Sequence, residues 1–169
     1  MITVGILTMS DKGSRGERED LSGEEIRRMI IGLPAEVKAY EIIPDELDII
    51  KDKLIEYVDK KGLDLIITTG GTGVSPRDVT PEATLAVIEK ELPGVSEVMR
   101  AESLKKTPNA MISRAVCGIR KESLIINLPG SPRAVRENLI VVLPVINHAL
   151  EKIKGSTAEC AVPDKTQPV

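Results

Sequence analysis

Short apolar runs alternate with amphipathic stretches through the first half of this chain, and that order leaves few folds open. Residues 2–8 read as a buried strand, broken by the turn residues Ser10-Asp11-Lys12-Gly13-Ser14. After a polar loop over 15–20, Ser22 and Glu25 have the spacing of a capping box. Ile26, Met29, Ile30 and Leu33 then supply one apolar helical stripe. Residues 37–43 read as a second strand, stopped by Pro44. Asp45 is placed to cap a second helix, in which Ile49, Ile50, Leu54, Ile55 and Val58 recur at helical spacing up to Gly62. Residues 64–68 read as a third strand. Strand, helix, strand, helix, strand predicts an α/β fold of three layers: a mostly parallel sheet with helices on both faces.

The second half reads less regularly. A helix is predicted over 95–104, after Pro93-Gly94. The apolar runs 115–119 and 123–128, joined by Arg120-Lys121-Glu122, predict a small antiparallel hairpin at the sheet edge. Pro129-Gly130-Ser131-Pro132 then turns into a long helix over 132–154, with Ser131 as N-cap, Pro132 as first residue and Pro144 as a candidate kink point. From residue 155 the chain is polar and aperiodic. Residues 1–154 are therefore read as one domain and 155–169 as a flexible tail.

The third strand runs into Thr68-Thr69-Gly70-Gly71-Thr72-Gly73-Val74-Ser75-Pro76-Arg77-Asp78-Val79-Thr80-Pro81-Glu82. A strand, a loop with three glycines and a helix start form a common way to hold phosphate, because glycine lets backbone N–H groups approach an anion. Arg77 can pair with a phosphate, and Asp78 can hold a divalent cation beside it. The loop lacks the Lys-Ser/Thr ending of a P-loop and the glycine spacing of a dinucleotide-binding turn.

In open α/β sheets, ligands sit beyond the carboxyl ends of the strands. Four loops end strands here: Ser10-Asp11, Pro44-Asp45-Glu46, the glycine loop and Pro129-Gly130-Ser131. Together they bring Asp11, Asp45 and Asp78 to one rim, a composition that invites Mg2+ beside phosphate. Each residue also has a plainer reading: Asp45 as an N-cap, Asp11 and Asp78 as turn residues, Gly130 and Ser131 as a helix start.

Composition narrows the partners. A net charge of −3 argues against a general nucleic-acid binder. Tyr40 and Tyr57 are the only Phe, Tyr or Trp residues, which argues against base stacking along a single strand and predicts a core built from Ile, Leu, Val, Ala and Met. Cys117 and Cys160 have no metal-ligand spacing and fit a reducing cytoplasm. The N-terminus shows neither a basic leader nor a membrane-length apolar run. The single histidine, His148, lies inside the last predicted helix, with no nucleophile motif to partner it.

Taken at full length, the glycine-loop string resembles the MogA/MoaB family of molybdopterin adenylyltransferases, which includes the gephyrin G domain. The resemblance covers about residues 3–155. It includes Ile43-Pro44-Asp45-Glu46, Glu102-Ser103-Leu104, Cys117-Gly118-Ile119-Arg120 and Asn127-Leu128-Pro129-Gly130-Ser131-Pro132. Asn109, after Pro108, departs from the apolar or aromatic residue expected in relatives. The resemblance implies that molybdopterin and ATP bind at the rim with Mg2+. The molybdopterin phosphate attacks the ATP α-phosphate, pyrophosphate leaves, and the product passes to a molybdenum-insertion enzyme. It implies Asp45 and Asp78 as the catalytic pair and metal ligands. It implies substrate contacts at Ser103, Asn127 and the glycine-loop residues Gly70, Gly71, Thr72, Gly73, Ser75 and Arg77, and the rim position of the strand-end turns adds Ser10, Asp11, Pro129, Gly130 and Ser131. A homotrimer is implied as well. The alternative is a molybdopterin-binding or carrier protein of the same fold without turnover.

Overall fold

The computed structural model of the chain describes residues 1–157. A six-stranded sheet forms its centre, in the order β2-β1-β3-β6-β5-β4. The strands are β1 (Ile2–Met9), β2 (Ala35–Ile43), β3 (Leu65–Thr69), β4 (Lys90–Glu91), β5 (Cys117–Arg120) and β6 (Ser123–Leu128). The first four in spatial order are parallel, and β5 and β4 complete the sheet in antiparallel pairing. Six helices surround it: α1 (Asp11–Ser14), α2 (Leu21–Ile30), α3 (Leu47–Ile55), α4 (Thr80–Leu85), α5 (Pro93–Leu104) and α6 (Pro132–Ile153).

Period-two alternation sorts the strand residues between two cores. Val4, Ile6, Leu65, Ile67, Leu124 and Ile126 face α2, α5 and α6, where they meet Ile26, Met99, Val135, Leu139 and Ile146. Leu7, Ile66 and Ile125 face the other way, toward Ile50, Leu54, Tyr57 and Ala83 on α3, its π-helical extension Glu56–Lys60, and α4. Of the two tyrosines, one lies deep in the core. Tyr57 is fully buried and lies against Gly5, where an added Cβ would come within 2.5 Å of its ring. Its hydroxyl donates to Glu41 at 3.0 Å, so the ring is buried without leaving a polar atom unpaired.

The predicted α/β architecture with helices on both faces is the observed one. Several local expectations change. The third strand starts at Leu65, because Asp64 turns aside to accept from the Thr3 backbone N–H and hydroxyl, both at 2.7 Å. Asp20, rather than Ser22, caps α2, accepting from Gly23 N at 2.9 Å. Ser22 donates instead to the Gly130 carbonyl at 2.8 Å, and Glu25 pairs with Arg136 at 2.8 Å. Glu46, not Asp45, is the N-cap of α3, and its side chain makes no capping bond. The antiparallel hairpin exists, but β6 lies inside the sheet against β3 and the edge belongs to β4. Helix α5 begins at Pro93, and α6 runs through Pro144 to Ile153. Most of the predicted tail, with Cys160, lies outside the described residues.

Cys117 is wholly buried on β5, and desolvation pushes its thiol up to about 12. Native protein at pH 8 should therefore leave Cys117 unmodified by iodoacetamide, and denatured protein should be alkylated there. Peptide mapping of the two samples reads this directly; labelling of the native thiol at the denatured rate would contradict its burial.

Candidate functional site

The carboxyl ends of β1, β2, β3 and β6 open together onto a cavity of about 480 Å³. Ser10, Asp45, Gly70, Gly71, Asp78, Gly130 and Ser131 all line it. Parallel pairing is the reason: it brings the ends of strands far apart in sequence to one side of the sheet.

The glycine loop is shaped by two left-handed residues, Gly70 at φ +94° and Gly71 at φ +64°. Its floor is pinned to the start of α4, with Thr80 Oγ1 donating to the Gly70 carbonyl at 2.9 Å and Thr80 N to the Gly71 carbonyl at 3.1 Å. A Cβ on Gly71 would sit 3.1 Å from Asp45 Oδ1, so the missing side chain leaves room for that carboxylate beside the loop. Farther along, Asp78 Oδ2 accepts from Ser75 N at 2.8 Å and closes the turn on itself. The Pro129-Gly130-Ser131 turn joins from the next strand, its Pro129 carbonyl accepting from Thr69 Oγ1 at 2.7 Å. Ser131 caps α6 as expected, accepting from Ala134 N at 3.2 Å.

Asp11 and Asp45 hold each other. Asp11 N donates to Asp45 Oδ2 at 3.0 Å, and Asp45 N donates to Asp11 Oδ1 at 3.1 Å. Their environments push them apart electrostatically. The Arg77 guanidinium keeps the Asp11 carboxyl below its usual range, helped by the Asp45 N–H. Burial raises Asp45, and the charges of Asp11 and Asp78 raise it further. Asp45 is thus a carboxylate held at a cost, in a place where a cation would relieve it.

Several residues implied by the resemblance lie elsewhere. Arg77 turns away from the cavity and forms a bidentate pair with Asp11 at 2.8 and 3.0 Å, plus a bond to Glu46 at 2.8 Å. Thr72 and Gly73 line a neighbouring opening with Asn109 and Pro129, and Ser75 lies on the outer turn. Ser103 lines a separate, mostly apolar cavity with Asn109, Pro129 and Asn138, and accepts from Asn138 Nδ2 at 3.0 Å. Asn127 is fully buried beneath the rim. Its amide donates to Thr68 and Thr84 hydroxyls, each at 2.9 Å, and its carbonyl accepts from Val116 N at 3.2 Å. Its side chain is committed to joining β3, α4 and the segment before β5. Asn127→Ala should therefore cost about 1–3 kcal/mol by stranding the buried Val116 N–H. Urea denaturation measures this; a loss under about 0.5 kcal/mol, within the range of ordinary surface changes, would show that the network is dispensable.

Two contributors were not legible from the sequence. Arg114 clamps the loop, donating to the carbonyls of Gly73 at 2.6 Å and Asp78 at 2.7 Å while pairing with Glu82. Asp20 lines the cavity and gathers bonds from Thr8, Tyr40 and Gly23, the first two at 2.5 and 2.6 Å. No local motif marks Arg114; Asp20 was hidden by the better-known capping pattern at Ser22.

The chain has close relatives. Residues 5–148 match the family model described as "Probable molybdopterin binding domain". The chain is 48% identical over 158 residues to a molybdopterin adenylyltransferase of Helicobacter pylori J99, covering 92% of this chain and 89% of that protein. It is 44% identical over 141 residues to the molybdopterin adenylyltransferase of Escherichia coli K12, covering 82% and 72% respectively. Among solved structures, it superposes on the molybdopterin biosynthesis enzyme MoaB of Thermus thermophilus with a TM-score of 0.87 and 54% identity, covering 92% of this chain and 98% of that one.

Proposed function

Because the chain belongs to this molybdopterin-binding domain family, we propose that it is a molybdopterin adenylyltransferase of molybdenum cofactor biosynthesis. The reaction moves AMP from ATP onto the phosphate of molybdopterin and releases pyrophosphate. The observation that carries the reading is the meeting of Asp45 and Asp78 with the left-handed Gly70-Gly71 turn in one cavity. Phosphoryl transfer of this kind needs positioning and charge neutralisation more than a strong base. The attacking phosphate is already an anion near pH 7. This fits a cavity that His148, far along α6, does not line.

Asp45 and Asp78 are the residues that would hold Mg2+. No group of three or more metal-ligating side chains is assembled among the described residues. That donor set suits a cation that keeps its waters and is bound through one or two carboxylates plus substrate phosphates. When bound, Mg2+ offsets the charge of the phosphates and of Asp45 itself. The glycine turn presents backbone to the phosphates, and the reciprocal Asp11–Asp45 bonds hold the carboxylate in place. In this reading the product goes on to a molybdenum-insertion enzyme.

Purified protein given molybdopterin, ATP and Mg2+ should release pyrophosphate and form adenylylated molybdopterin. EDTA should stop both, and added Mg2+ should restore them. Tight molybdopterin binding without pyrophosphate would replace this reading with the carrier protein. A homotrimer is part of the proposal, supported by the exposed Val98 and Leu104 on α5 and Ile140 and Val145 on α6. Light scattering should return three times the chain mass; a monomer would refute the assembly.

A further inference from the structure

We infer that Arg18 is the phosphate-binding side chain of the main cavity, a substrate-contacting residue that sets affinity for a phosphoryl group. The inference rests on the adenylyltransferase reading and adds a residue to it. Four carboxylates line the cavity, from Glu19, Asp20, Asp45 and Asp78, and Arg18 is the one cationic side chain among them. A polyphosphate entering such a wall is repelled unless cations meet it. Mg2+ at Asp45 and Asp78 would answer part of that charge and leave the remainder to Arg18.

The obvious candidate for this task, Arg77, is already spent on Asp11 and Glu46. Arg114 is spent on the loop carbonyls and Glu82. Every other arginine likewise has an acceptor. Arg18 makes no ion pair or hydrogen bond with any described residue. Its backbone is nevertheless held in position. Before it, Glu17 N donates to the Lys12 carbonyl at 2.9 Å. After it, the Asp20 carboxylate is fixed by Thr8, Tyr40 and Gly23. Ser22 ties the same segment to the Gly130 carbonyl, beside the N-terminal end of α6. An anchored backbone with an uncommitted guanidinium is suited to a planar, two-pronged grip on phosphate.

The test compares wild type with Arg18→Ala and Arg18→Lys, all in Mg2+. Calorimetric titrations use inorganic pyrophosphate and, separately, molybdopterin. The alanine variant should bind one of these phosphates about tenfold more weakly, the scale of a lost charge-assisted hydrogen bond. Lysine should recover part of the loss, and the difference from wild type should shrink in high salt. Thermal midpoints should coincide, because Arg18 supports nothing in the fold. Weakened pyrophosphate binding assigns Arg18 to the ATP tail, and weakened molybdopterin binding assigns it to the attacking phosphate. Unchanged affinity for both overturns the inference. Failure of wild type to turn over would instead sink the adenylyltransferase reading, since the binding comparison needs no turnover.

Discussion

Asparagine at Asp45 should cut turnover by about 10²–10³-fold, the usual effect of removing one preorganised electrostatic contact from a transition state, while making the protein more stable at neutral pH. The two effects share a cause. Burial and the neighbouring charges of Asp11 and Asp78 raise the Asp45 pKa in the folded state. A carboxyl whose folded pKa lies above its unfolded value stabilises the fold only while protonated. That contribution is fully present below the unfolded pKa and is lost as pH rises through the folded one. At pH 7 the ionised group therefore costs stability, and asparagine removes the charge while keeping an oxygen to accept from Asp11 N. The stability gain of Asp45→Asn should be evident at pH 7 and should shrink as pH is lowered through the Asp45 titration. Asp78→Asn should lose activity on the same scale, since its remaining oxygen can still accept from Ser75 N and preserve the turn. The double variant should be little worse than either single one, because the two residues act as a unit. Steady-state kinetics and melting curves over a pH series check all of this. Asp45→Asn within threefold of wild-type turnover would remove Asp45 from the chemistry.

The largest loss of stability expected from a single methyl group is at Gly70. The residue sits at φ +94°, where an L side chain is strained, and a Cβ there would overlap the Met9 carbonyl oxygen. Left-handed backbone costs roughly 1–2 kcal/mol for a non-glycine residue, and overpacking a well-filled site adds about 1–3 kcal/mol. The obstacle is main chain at the end of the buried strand β1, so no rotamer change can relieve it. Gly70→Ala should lower unfolding free energy by about 3.5 kcal/mol, the sum of the middle values of those two effects. Gly94, in the first turn of α5, is the control. A Cβ there meets nothing within 4 Å, so Gly94→Ala should be neutral or slightly stabilising. Urea denaturation of both variants decides the matter: equal stability for the two would mean that the glycine turn can relax, and the rigid-loop account of the phosphate site would fall.

The parts of the molecule that were legible in the sequence are those set by short-range patterns. Strands β1, β2, β3 and β6 showed in their apolar runs, α2 and α3 in their periodicity, and the glycine loop in its place after a strand. The errors fell where two local explanations competed for one residue. Asp45 had the position of an N-cap, yet its carboxylate accepts from Asp11, 34 residues earlier. Ser22 and Glu25 had capping spacing, yet Ser22 bonds across 108 residues and Glu25 across 111. Asn127 stands just before the Pro129-Gly130-Ser131 turn. Pleating alternates its side chain to the face of Ile125, beneath α4, where the hydroxyls of Thr68 and Thr84 hold it.

From the sequence alone came the fold class, the side of the sheet that carries the candidate site, and the glycines of that site with two of its carboxylates, Asp45 and Asp78. Each depends on periodicity or on conformational limits acting within a few residues. Only the tertiary structure decided which charges are already neutralised. Arg77 and Asp11 are 66 positions apart, and Arg114 and Gly73 are 41 apart. Arg18 is distinguished by having no such partner among the described residues. Hydrogen bonds and Coulomb forces act through space over a few ångströms, so the availability of a side chain for a substrate is set by packing rather than by its neighbours in the chain.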